Sequence, residues 1–377
     1  MRCLVVLSVA AALPAFAQEQ AEPVGIEPEF VRPLVPVGRG RNDSNPVWSP
    51  SGDTIALERS RGDDKEIVVV RVNGEVVQTL HQQSPPAPGQ SPFFFPGVVE
   101  PTSYNSGISW APDGKRFVFM SNGGEGNYDL YLREADGRIA RITTDKEKDG
   151  HADWSPAGDR IAFVSGRSGQ GDVYVLDLAA KTTTRLTHGE WPYLYPQWSP
   201  DGKRIAFIRG SNENHDIAVL APGLSPPAPA KQLTTWPHDD LRPVWSPDGK
   251  RVAFYTNYNA AGDPKIWAIA VVAADGSDPT EGEGLAARVV ATDVVPDVER
   301  GPAWLPDSRR IAYVRDERQA YYPIYVADVE TRASTLLRTG TKMNHDVTCS
   351  RTGVIAFRAQ VDQWDQVYVA KLKDGKP

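Results

Sequence analysis

Among the six histidines in the 377-residue sequence, three with carboxylates close by are candidates for chemistry. His151 follows Asp149, His238 precedes Asp239 and Asp240, and His345 precedes Asp346. Imidazole and carboxylate groups are ligands for divalent cations, and a cluster of them also attracts a cationic or hydrogen-bonding ligand. No short metal-ligand motif joins the three stretches, so this chemistry exists only if the fold gathers them. Other stretches share the character: Asp43 with Asn42 and Asn45, Tyr104 with Asn105, Trp191 with Tyr193 and Tyr195, and Asp297 with Glu299. Arg41, Lys148, Arg242 and Arg300 are partial counterweights to the acids. Trp191 and Trp236 are further candidates for ligand contact, since an indole offers both a large apolar face and an N–H.

Nucleophilic catalysis has less support. No Gly-x-Ser-x-Gly stretch occurs, the nearest being Gly166-Arg167-Ser168-Gly169, and Cys349 stands where other repeats carry tryptophan, the place of a buried structural thiol. His188 and His215 fall at strand ends and need no functional role. The chain is therefore expected to be non-catalytic and to need no cofactor, a divalent metal being the alternative.

Every candidate stretch lies just ahead of one repeated unit, clearest at Tyr195 to Phe207: Tyr-Pro-Gln-Trp-Ser-Pro-Asp-Gly-Lys-Arg-Ile-Ala-Phe. Ser-Pro-Asp-Gly forms a tight hairpin turn, with proline fixing φ and glycine free to take the left-handed conformation. The motif tryptophans are Trp48, Trp110, Trp154, Trp198, Trp245 and Trp304, and a decayed seventh copy has Cys349 at that place. Successive spacings are 62, 44, 44, 47, 59 and 45 residues, and a β-rich period near 44 is the mark of a propeller blade. A Pro-rich insertion, 84–101, containing Phe93-Phe94-Phe95, and a Gly/Asp-rich one around 275–284 lengthen the two long intervals. In the third repeat the strands fall at a segment ending in Trp154, at 160–165, at 172–178 and at 183–187.

The expected fold is all-β, a propeller of seven four-stranded blades, six being the alternative count. The last repeat has only three strands, so the segment 31–37 is expected to supply its outer strand and close the ring, removing two open edges. Motif tryptophans then fill the wedges between blades. The stretch ahead of each tryptophan enters the central channel and lines its mouth. What differs between copies is this lead-in, Tyr195 in one and His151, Arg242 or Asp346 in others, and there specificity is sought.

The pattern Trp-Ser-Pro-Asp-Gly-Lys-Arg-Ile-Ala-Phe, followed by an Asp-Ile-Tyr-Val-like strand and then Leu-Thr, resembles the WD40-like propeller repeats of TolB and its relatives over residues 30 to 373. The resemblance implies a propeller. The same repeat occurs in bacterial surface proteins, in propellers of prolyl-oligopeptidase-type peptidases and in oligogalacturonate lyases. In those lyases channel histidines hold a metal, which would assign that role to His151, His238 and His345. The stretch between Gln18 and the first repeat is too short for the N-terminal α/β domain that TolB carries.

The bulk properties narrow the class. A net charge of −7, with 24% charged and 40% hydrophobic residues, is ordinary for a globular domain and gives no support for nucleic-acid binding. No apolar run reaches the length of a membrane span. Arg2, the apolar stretch from Leu4 to Leu13 and Ala15-Phe16-Ala17 form a signal-peptide pattern with cleavage before Gln18, which leaves Cys349 as the one cysteine and no disulfide. Residues 18–29 are expected to be a flexible lead-in and residues 30–377 one propeller domain. The expected function is a monomeric, exported platform, periplasmic or secreted, that binds an envelope or extracellular protein or peptide. A metal-dependent lyase and a stand-alone peptidase-type propeller are the alternatives.

Overall fold

The computed structural model describes residues 25–36, 40–61, 64–80, 105–123, 127–189, 191–211, 214–222, 229–258, 263, 265–278, 288–297, 299–317 and 321–373. The leader at 1–17, most of the acidic stretch after it and the Phe93-Phe94-Phe95 insertion lie outside the described residues.

The fold is a seven-bladed β-propeller with no helix among the described residues. The inner strands, next to the axis, are Asn42–Trp48, Asn105–Trp110, Asp149–Trp154, Tyr193–Trp198, Asp240–Trp245, Ala303–Trp304 and Asn344–Cys349. Blade three shows the pattern, running outward from Asp149–Trp154 through Arg160–Ser165 and Asp172–Asp177 to Thr182–Arg185, each strand antiparallel to the last.

Three recurring sequence features build the blades. In the turn of blade four, Ser199 Oγ accepts from the Arg204 N–H at 2.9 Å and donates to Asp201 Oδ1 at 2.6 Å, while Gly202 takes φ +70°. This explains why serine and aspartate recur at those places. At the blade's outer side, the Leu-Thr ending works through its hydroxyl: Thr187 Oγ1 accepts from the Val173 N–H at 2.9 Å and donates to buried Asp172 at 2.7 Å, and Thr143 and Thr234 do the same for Leu130 and Ile217. Between blades, Trp110, Trp245 and Trp304 donate Nε1–H to Val47, Gln197 and Val244 carbonyls of the preceding blade, at 3.0–3.2 Å. Arg116, Arg160 and Arg204 lie over Trp154, Trp198 and Trp245 of the following blade at 4.7–5.2 Å, so the tryptophans are seams between sheets. Cys349 leaves the seam between blades six and seven without an indole.

The ring closes through the N-terminal segment, with a shifted boundary. Pro28–Pro33 pairs antiparallel with Trp364–Leu372 as the outer strand of blade seven, whereas 31–37 was expected. Leu34 and Val35 instead turn into the core. Before them, Gly25–Ile26 runs parallel to Ser334–Leu337 as a fifth strand on blade six, so strand structure begins inside the stretch expected to be a lead-in. A strand of two residues carries no periodicity in the sequence.

Deleting residues 25–33 exposes the edges of blades six and seven together. Thermal denaturation of that truncation is expected to show a large loss of stability, and an unchanged midpoint contradicts strand closure. Thr187→Val strands the Val173 N–H and removes one donor from Asp172, which keeps Arg185 and Ser168, and is expected to cost about 1–3 kcal/mol in urea unfolding.

Candidate binding site in the central channel

Seven strands converge on the axis, and six of them carry one extra residue there. In blades one to five and seven the register between inner and second strand shifts at the same place, three residues before the motif position. The residue there is Asn45, Gly107, His151, Tyr195, Arg242 or Asp346, and Gly301 holds the same place in blade six. All seven have left-handed φ, between +49° and +85°. A bulge of this kind aims its side chain off the sheet and into the channel. A non-glycine residue in this conformation costs roughly 1–2 kcal/mol, and five of the seven bear it. At Gly301 a Cβ would stand 2.6 Å from Val244 and 2.8 Å from the Arg242 carbonyl, so only glycine fits.

The bulge side chains interlock. Tyr195 lies between His151, stacked at 3.9 Å between ring centroids, and Arg242, whose guanidinium sits 3.6 Å from the Tyr195 centroid. Arg242 approaches Glu299 to 3.8 Å. Arg300 donates to the Asn45 carbonyl at 3.0 Å. The Asn45 N–H donates to Asp346 at 3.2 Å, and Asp346 pairs with Arg358 at 2.8 Å. Beneath this tier Asp153 accepts from the Trp198 N–H at 2.7 Å and the Ser109 hydroxyl at 3.2 Å.

A cavity of about 380 Å³ runs along the channel from His151, Tyr195, Arg242 and Arg300 to Trp48, Trp110 and the turn residues Ser49 and Pro50. It borders blade two, where a Cβ at Gly107 would meet nothing within 4 Å.

Burial sets the titrations. It pushes Asp153 up to about 6, and Asp297 up to about 7 with help from the charge of Asp346. Burial also raises Glu299, holds His151 well below its ordinary value, lowers His345, and pushes the Tyr195 phenol up to about 12 and the Cys349 thiol up to about 12. Cys349 is thus a thiol near neutrality, without nucleophilic character.

The candidate residues separate into three groups. His151, Tyr195 and Asp346 belong to the channel ring, with Glu299 and Asp297 beside it. Asp43, Asp149 and Asp240 turn away between blades and are fully buried, a correction to the expectation that they line the mouth. Asp43 makes a bidentate pair with Arg59 at 2.7 and 2.8 Å, Asp149 pairs with Arg167 at 3.0 Å, and Asp240, beside Thr234 and Thr256, has its pKa raised well above the ordinary value by burial. Trp191, His238, Asp239 and His345 remain outside the ring: Trp191 is 47% exposed, Asp239 bonds His215 Nδ1 at 2.8 Å, and His238 packs on Tyr258. Trp236 is buried in the core.

The three histidines meet three different tyrosines, His151 with Tyr195, His238 with Tyr258 and His345 with Tyr322. Among the described residues no three His, Cys, Asp or Glu side chains gather as a metal ion requires, so the residues present do not fit the expected alternative of a divalent cation. Arg242, already among the variable lead-ins, is central, and so is Arg300, which the sequence offers only as a counterweight. Their signal was position: Arg242 stands at the same place in its repeat as His151 and Tyr195.

Asp43→Ala removes the bidentate partner of buried Arg59 and is expected to cost about 3–5 kcal/mol in denaturant unfolding; a neutral result would return Asp43 to the candidate site. Asp297 has a folded pKa above its ordinary 3.8, so its stabilising contribution is complete below that value and is lost as pH rises through about 7. Carboxyl-carbon NMR is expected to find its midpoint near neutrality and a lower midpoint in Asp346→Asn, and an unmoved midpoint would show that Asp346 is not a cause.

Comparison with known proteins accords with this architecture. The family model of the TolB β-propeller domain matches residues 96–277. A comparison with curated proteins returns no match. Among solved structures, an oligogalacturonate lyase in complex with manganese superposes with a TM-score of 0.64 at 12% identity, covering 91% of this chain and 93% of that one. A puromycin-hydrolyzing peptidase of Mycobacterium tuberculosis gives 0.63 at 15% identity, covering 94% of this chain and 54% of that one. TolB from Acinetobacter baumannii gives 0.50 at 18% identity, covering 79% of this chain, which spans 63% of that protein's length. Identities this low speak for fold alone. Over residues 96–277 the chain is thus similar to the TolB β-propeller domain, and the blade geometry shows the propeller fold.

Proposed function

We propose that the protein is an exported, non-catalytic platform that binds a protein or peptide partner at its channel and the surrounding loops. One observation carries this reading. At the same place in every blade the backbone is left-handed, in six blades at a register shift, while the residue changes among asparagine, glycine, histidine, tyrosine, arginine and aspartate. A constant backbone with variable side chains is the form of a recognition surface on a rigid scaffold. Trp191, exposed in the loop ahead of blade four, is an aromatic anchor of the kind that dominates interfaces. The signal-peptide pattern at 1–17 supports export to the envelope or beyond.

A lyase reading, prompted by the manganese-bound lyase of similar fold, requires ligating histidines that here are engaged with separate tyrosines. The chain beginning at Gln18, immobilised and exposed to envelope extract, is expected to retain a partner in stoichiometric amount. Trp191→Ala and Tyr195→Ala should each lower that recovery about tenfold or more, and undiminished recovery in both contradicts the platform. Manganese with oligogalacturonate is expected to give no rise in absorbance from unsaturated product, and a catalytic rise would replace the platform with the lyase.

A further inference from the structure

The inner end of the channel cavity carries two guanidinium groups, those of Arg242 and Arg300. Arg242 is held flat against Tyr195, whose other neighbour is His151. Its contact with Glu299, at 3.8 Å, is too long for a hydrogen bond, whereas Arg59–Asp43 and Arg141–Asp129 close to 2.7 and 2.6 Å. Arg300 gives one N–H to the Asn45 carbonyl. Nε of both arginines is buried with no hydrogen-bond acceptor among the described residues. The nearby acids have other partners: Asp346 holds Arg358 and the Asn45 N–H, Asp153 holds the Trp198 N–H and the Ser109 hydroxyl, and Glu58 holds Ser106, Asn45 and Lys65. Burial, which pushes Asp297 up to about 7, further weakens its opposing charge near neutrality.

We infer that the inner end of the cavity receives the carboxylate of a ligand between Arg242 and Arg300, with the ligand's chain extending past Gly107 toward Trp48 and Trp110. The inference rests on the channel being the binding site and specifies what that site recognises. Guanidinium forks match a carboxylate in geometry as well as charge. A volume of about 380 Å³ falls within the small-ligand range and admits a chain end rather than a folded surface. The shared chemistry is a carboxylate on a slender chain, which a peptide C-terminus and an oligouronide both supply.

Tryptophan emission reports the cavity, because Trp48 and Trp110 line it. Titrations of the chain beginning at Gln18 with N-acetyl-trialanine, its C-terminal amide and digalacturonate separate the sources. At least one acid is expected to saturate the signal, with the amide about tenfold weaker or more. Arg242→Gln and Arg300→Gln should each weaken binding of that acid about tenfold, with circular dichroism confirming the fold. Gly107→Asn, tolerated at left-handed φ, should block the cavity while leaving both arginines in place. Amide binding equal to the acid, acid binding unchanged in both arginine variants, or no saturation by either acid overturns the inference. If that happens while partner recovery still depends on Tyr195, carboxylate recognition fails and the platform survives. If recovery is also indifferent to Tyr195 and Trp191, both fail.

Discussion

Seven sheets packed around one axis cannot all keep straight inner strands and still fill the centre, and the bulge three residues before each motif position is how this chain meets that constraint. An extra residue increases local twist and turns one side chain inward. The left-handed backbone recurs at all seven places, in asparagine, glycine, histidine, tyrosine, arginine and aspartate. Such a conformation persists in bulky residues only where the surroundings over-determine it. Here the surroundings are the tryptophan seams, the serine-capped turns and the threonine hydroxyls that tie outer strands to buried aspartates. The channel geometry therefore belongs to the whole ring.

Within that geometry, charge divides by depth in the blade. Carboxylates at the start of inner strands, such as Asp43 and Asp149, face neighbouring strands and pair with Arg59 and Arg167. Two to three residues later the bulge reverses the direction, and His151 or Asp346 faces the axis. A spacing this small separates architecture from recognition because side chains alternate faces along a strand, and a bulge resets the alternation. The channel becomes a confined place where Arg242 and Arg300 are rigidly positioned and only partly neutralised.

Much of the fold was legible in the sequence because its determinants are local. Ser-Pro-Asp-Gly fixes a turn, Leu-Thr marks an outer strand and the tryptophan spacing counts the blades. The three-stranded last repeat pointed to closure by the N-terminus, although its strand lies at Pro28–Pro33 and the additional pairing of Gly25–Ile26 left no trace in pattern. The site was legible only as a region. Comparing lead-ins singled out His151, Tyr195, Arg242 and Asp346, all at the bulge. Asp43, Asp149 and Asp240 were misassigned because residue type alone does not show which way a strand residue points. The packing of three histidines against three separate tyrosines depends on tertiary contacts that no local signal records.

If the ring of bulges is the recognition surface and the seams are the scaffold, the two are separable in one chain. Replacing Asn45, His151, Tyr195, Arg242 and Asp346 together by glycine suits the backbone at every one of those positions. The decisive measurement is partner recovery by this fivefold variant, with its β-sheet spectrum and cooperative unfolding checked in parallel. A folded ring that no longer retains the partner is the predicted result, and a folded ring that retains it undiminished would place recognition elsewhere on the molecule.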